Sequence, residues 1–184
     1  MIRAHHLSNR TPLHPRRLWL GLCGLLLFLS CSAQAVYYWD LNGATPGAGG
    51  PSPNGTWDTT TANWNSSAEG TNATQVWTGD SDTVFSAGAD ATGVFTVTIS
   101  STTTQYVKSM TVEEGAITFG PGKVALTGNT GNSSTAKFDV RADASASFSG
   151  TGAGYLTGTN GLNKLGDGVL WMGTDNGLCR FREL

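Results

Sequence analysis

Downstream of residue 35 the chain has no histidine, one cysteine (Cys179) and only seven basic residues, Lys108, Lys123, Lys137, Arg141, Lys164, Arg180 and Arg182. Without histidine, neither a Ser/His/Asp or Cys/His nucleophile arrangement nor a histidine-rich zinc site can be assembled. With one cysteine there is no internal disulfide, so burial and backbone pairing must hold an exported domain together. The seven bases face 13 acids in the same segment, a net charge of −6 with the acids scattered singly. That balance argues against nucleic acid or an anionic membrane as a partner and favours solubility. Helix-forming patterns are also scarce. No useful window shows a 3.6-residue apolar period with caps, and Gly and Thr stand where a helix would need Ala, Leu, Glu or Lys.

Long hydrophobic runs are missing too. The apolar run Leu18–Leu29 has 12 residues, whereas a membrane-spanning helix needs about 20, so no membrane insertion of the mature chain is expected. The run follows Arg3, Arg10, Arg16 and Arg17 with no acid between, and precedes Ser30-Cys31-Ser32-Ala33-Gln34-Ala35. A basic region, a short apolar region and a small-x-small site form a secretory signal peptide. Residues 1–35 are therefore read as a leader cleaved after Ala35, which places the mature chain outside the cell or on a bacterial cell surface. A twin-arginine reading of Arg16-Arg17 and a lipoprotein reading of Phe28-Leu29-Ser30-Cys31 are both less complete patterns. Cleavage leaves 184 − 35 = 149 residues, enough for one domain or part of a longer repeat array.

Residues 36–81 form a tryptophan-rich region broken by turn residues, with Trp39, Trp57, Trp64 and Trp77 separated by stretches such as Gly47-Ala48-Gly49-Gly50-Pro51-Ser52-Pro53-Asn54-Gly55. Short strands joined by ordered loops are expected there. Across residues 82–176 the period shortens to two. In Val94-Phe95-Thr96-Val97-Thr98-Ile99-Ser100 one face carries Phe95, Val97 and Ile99 and the other carries threonines, a strand pattern. It recurs at Met110 and Val112, Ile117 and Phe119, Val124 and Leu126, Phe138 and Val140, Ala146 and Phe148, and Leu170 and Met172, with Gly-containing turns between. An all-β chain of short strands fits a sandwich, a barrel or a solenoid. The solenoid is preferred over the β-sandwich because the apolar sets are small and evenly spread.

Two stretches carry a family resemblance. The first is Tyr37-Tyr38-Trp39-Asp40 with Gly55-Thr56-Trp57-Asp58, Ala62-Asn63-Trp64, Val76-Trp77 and Val84-Phe85-Ser86-Ala87-Gly88. The second is Gly161-Leu162-Asn163-Lys164-Leu165-Gly166-Asp167-Gly168-Val169-Leu170-Trp171-Met172-Gly173. Together they resemble the autotransporter-associated β-strand repeat proteins, long bacterial surface or secreted chains. Asp167 and Trp171 depart from the pattern, standing where that family more often has small residues or threonine. The resemblance implies a right-handed parallel β-helix exposed at the cell surface, with adhesion or matrix formation as its work. The segment 177–184 abruptly carries Cys179, Phe181, Arg180, Arg182 and Glu183, so it reads as an atypical tail from a truncated or frameshifted passenger.

Chemistry-bearing candidates are few. Trp57, Trp64 and Trp77 share one loop-rich region and suit either a cap over an open solenoid end or a platform on which sugar rings stack. Asp80 and Asp82 would point the same way in an extended strand, where they could hold calcium through carboxylate oxygens or cap a turn. Glu113-Glu114 reads as a solvated turn, and Asp139 with Asp143 as an outward strand face. No other cofactor is expected. Three functions compete: a structural or adhesive surface protein, a carbohydrate-binding β-domain using the tryptophans, and a polysaccharide-degrading β-helix using acid pairs. Expected partners are extracellular polysaccharide, other surface proteins, or a second copy pairing through an open C-terminal edge.

The leader is testable directly. Mass spectrometry of the exported protein is expected to find Val36 as the first residue; a lipid-modified Cys31 or an uncleaved N-terminus would refute the reading of residues 1–35.

Overall fold

The computed structural model describes residues 34–128, 136–148, 156–158 and 161–173. Most of the expected leader, the turns at Asn129 and Gly150-Thr151-Gly152, and the tail 177–184 lie outside the described residues. The described residues contain strands and loops and no helix. The strands are β1 (Val36–Trp39), β2 (Gly55–Trp57), β3 (Trp64–Asn65), β4 (Ser81–Phe85), β5 (Val94–Ile99), β6 (Gln105–Val112) and β7 (Ala116–Pro121). They continue as β8 (Val124–Leu126), β9 (Ala136–Val140), β10 (Ser145–Phe148), β11 (Leu156–Gly158), β12 (Leu162–Leu165) and β13 (Val169–Met172).

Two sheets result. One runs β2–β5–β7–β10–β13 with parallel pairing throughout. The other runs β3–β1–β4–β6 and then divides, because the long β6 pairs β8 along Gln105–Val107 and β9 along Ser109–Val112. β11 continues from β8, and β12 continues from β9. Among the described strands only β3, antiparallel to β1, breaks the parallel rule. From β4 onward the chain passes back and forth between the sheets, with β8–β9 and β11–β12 as successive strands of one of them, and returns to each sheet roughly 25 residues later, within the range of solenoid and array repeats. The antiparallel ladders of a sandwich are not what these strands form.

Parallel in-register pairing stacks like on like. In the five-stranded sheet Phe95, Ile117, Ala146 and Leu170 form one inward column, and Val97, Phe119, Phe148 and Met172 form the next. In the other sheet Met110 lies beside Phe138 and Val112 beside Val140. These inward residues are buried as far as β10 and merge into one core that extends from Trp39 to Leu162. Outward positions alternate with them: Val94, Thr96 and Thr98 are exposed while Phe95, Val97 and Ile99 are buried. Full burial of each such aliphatic or aromatic side chain contributes about 1.5–3 kcal/mol.

Lys164 follows this rule in an unexpected way. It occupies the column of Phe138, an inward position by register, but its ammonium donates to the carbonyls of Gly166 and Gly168 in the turn that follows. The charge is thereby carried out of the apolar column to backbone acceptors.

The corners need residues of particular shape. Gly115 turns the chain into β7 with φ +72, and an added Cβ would lie 2.4 Å from the Ala91 carbonyl oxygen and 2.7 Å from that of Gly93. Gly43 has a similar φ of +74 but open space around it. The left-handed conformation alone costs a non-glycine residue about 1–2 kcal/mol. Gly43→Ala is therefore expected to destabilise by about 1 kcal/mol, and Gly115→Ala by at least about 2 kcal/mol more, because two backbone carbonyls must move. Urea denaturation measures both, and equal losses would show that the corner has room for a side chain.

Candidate functional site

The tryptophan-bearing segment contributes a buried aromatic cluster. Trp39, Trp57 and Trp64 have no exposed surface and Trp77 almost none. Trp57 packs on Trp64 at 5.0 Å and 65° and on Trp77 at 5.5 Å and 89°, while Trp39 meets Trp64 at 5.4 Å and 80°. Edge-to-face rings at such separations are worth about 0.5–1.5 kcal/mol per pair beyond their burial. Phe85 on β4 touches Trp39, Trp57 and Trp64. The contact then passes to Phe119 at 4.9 Å and from Phe119 to Phe148 at 5.0 Å, so one aromatic path joins the cluster to the stacked columns.

This burial corrects the sugar-platform reading of Trp57, Trp64 and Trp77. A pyranose stacks only on a ring face open to water, and these rings spend their faces on each other. Trp39 Nε1 donates to the Pro53 carbonyl at 2.9 Å, whereas Nε1 of Trp57, Trp64 and Trp77 has no polar partner. In T-shaped packing a ring edge meets a ring face, the arrangement in which an indole N–H is received by a π cloud.

Beside the cluster sits a polar clasp that sequence reasoning missed. Asp40 is fully buried; its carboxylate accepts from the Asn42 amide at 2.9 Å and from Asn65 Nδ2 at 2.6 Å. The same Asn65 nitrogen donates to the Asn72 carbonyl at 2.6 Å. Asp90 accepts from the amides of Ala48 and Gly50 at 2.7 and 2.8 Å. Asp90 thereby holds the loop between β1 and β2 against the chain before β5, and Asp40 ties the start of that loop to β3. Burial raises the Asp40 pKa above its ordinary value, opposed by the hydrogen bonds from Asn42 and Asn65, with the Asp90 charge adding to the rise. Asp58 behaves oppositely: the Thr61 amide, aided by Thr60, lowers its pKa. The signal for the clasp lay in Trp39-Asp40-Leu41-Asn42-Gly43, an acid followed by turn residues.

Asp80 and Asp82 do not share the geometry expected of an extended pair. Asp80 has φ 50, outside any strand, so its side chain does not follow the alternation that would align it with Asp82. Its Oδ1 accepts from Thr127 Oγ1 at 2.8 Å, while Asp82 Oδ1 accepts from the Ser109 hydroxyl. A register shift between Ser81 and Asp82 lets β4 slip past Lys108 and set Asp82 opposite Ser109. Each carboxylate thus clamps a different neighbouring segment. Glu114, expected in a solvated turn, instead accepts from the Ala91 amide at 2.9 Å and the Ser86 hydroxyl at 3.3 Å. Glu113 pairs at 2.6 Å with the exposed Arg141, a contact worth little where water screens it. Asp143 sits at φ 65 in the turn before β10 rather than on a strand face. Among the described residues no group of three or more His, Cys, Asp or Glu side chains could hold a metal ion.

The remaining described tryptophan lies elsewhere. Trp171 on β13 is 67% exposed and continues the outward column of Thr96, Thr118 and Ser147. Its place was legible in the alternation, since Leu170 and Met172 take the inward positions.

No family model matches the chain, and no solved structure gives a significant match. The chain is 34% identical over 157 residues to the adhesin BmaC autotransporter of Brucella suis biovar 1 (strain 1330). The matched stretch is 84% of this chain and spans 4% of that protein.

The clasp has a pH signature. An acid whose folded pKa is raised binds its proton more tightly in the folded state, so its contribution to stability falls as pH rises from the unfolded value of 3.8 through the folded one. Asp40→Asn cannot ionise, so its thermal midpoint relative to wild type is expected to rise as pH increases from about 3 to 7. Parallel melting-temperature profiles would contradict the assigned burial of this carboxylate.

Proposed function

We propose that the chain is a non-catalytic, adhesive part of an autotransporter-like surface passenger, folded as a right-handed parallel β-helix whose segment 36–81 caps one end. The observation that carries this reading is the similarity to an autotransporter adhesin over 84% of the chain. The parallel pairing supports the helix, because each strand returns to its sheet beside its predecessor and stacks inward columns. A right-handed crossover is the nearly universal hand of parallel connections. The buried tryptophans support the cap, since an open solenoid end must be covered.

The absence of histidine after residue 35 and the engagement of Asp80, Asp82 and Glu114 in hydrogen bonds support a non-catalytic role. Export follows from the leader with cleavage after Ala35, which puts the mature chain in the extracellular space or on the cell surface.

The test is gain of function. The full chain, with its own leader, is fused upstream of an outer-membrane β-barrel translocator in a non-adherent Gram-negative host. Attachment to abiotic and cell surfaces, or cell–cell aggregation, is expected to rise several-fold over cells carrying the translocator alone. Surface-exposed chain with unchanged attachment and aggregation would refute the adhesive reading.

A further inference from the structure

We infer that the outward face of the sheet β2–β5–β7–β10–β13 binds a neutral polysaccharide, with Trp171 as its stacking ring. The inference rests on the reading that the chain is displayed outside the cell, and it names the ligand class of that display.

The face is built of three columns. Thr96, Thr118, Ser147 and Trp171 form the central one, with Val94, Ala116, Ser145 and Val169 to one side and Thr56, Thr98 and Gly120 to the other. None of these residues is charged. The charges of the strands gather on the other sheet, whose outward positions include Asp82, Lys108, Lys137 and Asp139. The strand charges thus lie on one sheet, among hydroxyls and the exposed Tyr106 and Leu165, while the outward strand positions of the other carry hydroxyls and apolar groups alone.

The exposure is of an unusual kind for a soluble chain. Val94 is 73%, Trp171 67% and Val169 48% exposed on this face, where no charged side chain stands among them, while Tyr106 and Leu165 are exposed on the other sheet beside its charges. A further strand added beyond β13 would pair through the β13 backbone and cover the inward Leu170 and Met172. It would lie beside Trp171, not over it, so the outward plane of the sheet stays open to a ligand.

Sugar chemistry fits what is offered. A pyranose ring has an apolar C–H face that suits a planar indole and a rim of hydroxyls that donate and accept. Thr96, Thr118 and Ser147 repeat along the column at the strand spacing of about 4.8 Å, and Ser147 Oγ reaches Thr118 Oγ1 at 3.2 Å, which leaves further hydroxyl valence for a ligand. A chain polymer lying across the strands would meet these groups in succession. Nucleic acids and acidic polysaccharides demand cations, and this face has none.

The test uses the purified full chain in affinity electrophoresis through gels containing laminarin, galactomannan, hydroxyethylcellulose or, as the acidic control, polygalacturonate. Retardation by at least one neutral polymer is expected. Trp171→Ala should weaken that association about tenfold or more, the loss of one good stacking contact, and Thr96→Val with Thr118→Val should weaken it several-fold, with melting temperatures unchanged. No retardation by any neutral polymer, retardation by polygalacturonate alone, or equal retardation of Trp171→Ala would overturn the inference. The same variant displayed on cells separates the two readings. Undiminished attachment of Trp171→Ala cells leaves adhesion standing and overturns the glycan face, and lost attachment without sugar retardation overturns it in favour of a protein partner.

Discussion

In-register parallel pairing is the constraint on which the rest of the molecule depends. An antiparallel pair can set a large residue against a small one, but a parallel ladder places each inward side chain directly beside its counterpart one circuit away. The core must therefore be solved as columns. Val97, Phe119, Phe148 and Met172 succeed because ring can lie on ring, as Phe119 and Phe148 do at an interplanar angle of 20°. The cost is that every column has two ends, and at each end an apolar face has no partner of its own kind. Beside β4 the columns give way to larger rings: Phe85 packs on Trp39, Trp57 and Trp64, and the tryptophans pack on one another through edge-to-face contacts.

The loops around this cluster pose a second problem, since they lie beside a dry aromatic core without strand partners for their amides. A buried amide without an acceptor costs about 1–3 kcal/mol. Carboxylates answer it. Asp90 serves Ala48 and Gly50, Asp40 serves Asn42, and Glu114 serves Ala91. One carboxylate accepts several bonds at once, so a few acids can anchor loops rich in glycine. These three acids thus serve the architecture, and the raised pKa of Asp40 is a by-product of burying one of them.

How far the sequence spoke depended on whether a feature was local. The strand β5 was plain in Val94–Ile99 because alternation is a property of neighbours, and the same holds for Ala146 with Phe148 and Leu170 with Met172. The division of β6 between β8 and β9, and the register shift at Ser81 and Asp82, depend on which strands become partners, which no short window encodes. The tryptophans were ambiguous for a related reason. Trp57, Trp64 and Trp77 occur among turn residues with no alternation to assign a face, so burial could be decided only by their mutual packing. Asp80 misled because the extended backbone assumed for it gave way to a left-handed turn. Trp171 sat in a clear alternation and could have been placed outward from the start. It drew less notice than the clustered tryptophans because its neighbours on that face, Ser147, Thr118 and Thr96, are distant in sequence.

The two sheets of the described region differ in what they show to water, and the fold explains how such a difference can persist. In a parallel stack outward positions of the same register stand side by side from one circuit to the next, so like residues chosen at them form a stripe. Lys137 lies beside Ser109, and Asp139 beside Thr111, on one sheet; there opposite charges and hydroxyls mix. On the other sheet Thr96, Thr118 and Ser147 repeat a hydroxyl with no charge between them. Lysine or glutamate at any of those positions would serve solubility as well, and threonine there also suits the pleated backbone. The stripe is interrupted at β13, where an indole replaces the hydroxyl. A bulky ring at an outward position adds little to the core, so Trp171 is the residue on this face whose replacement separates a ligand contact from stability.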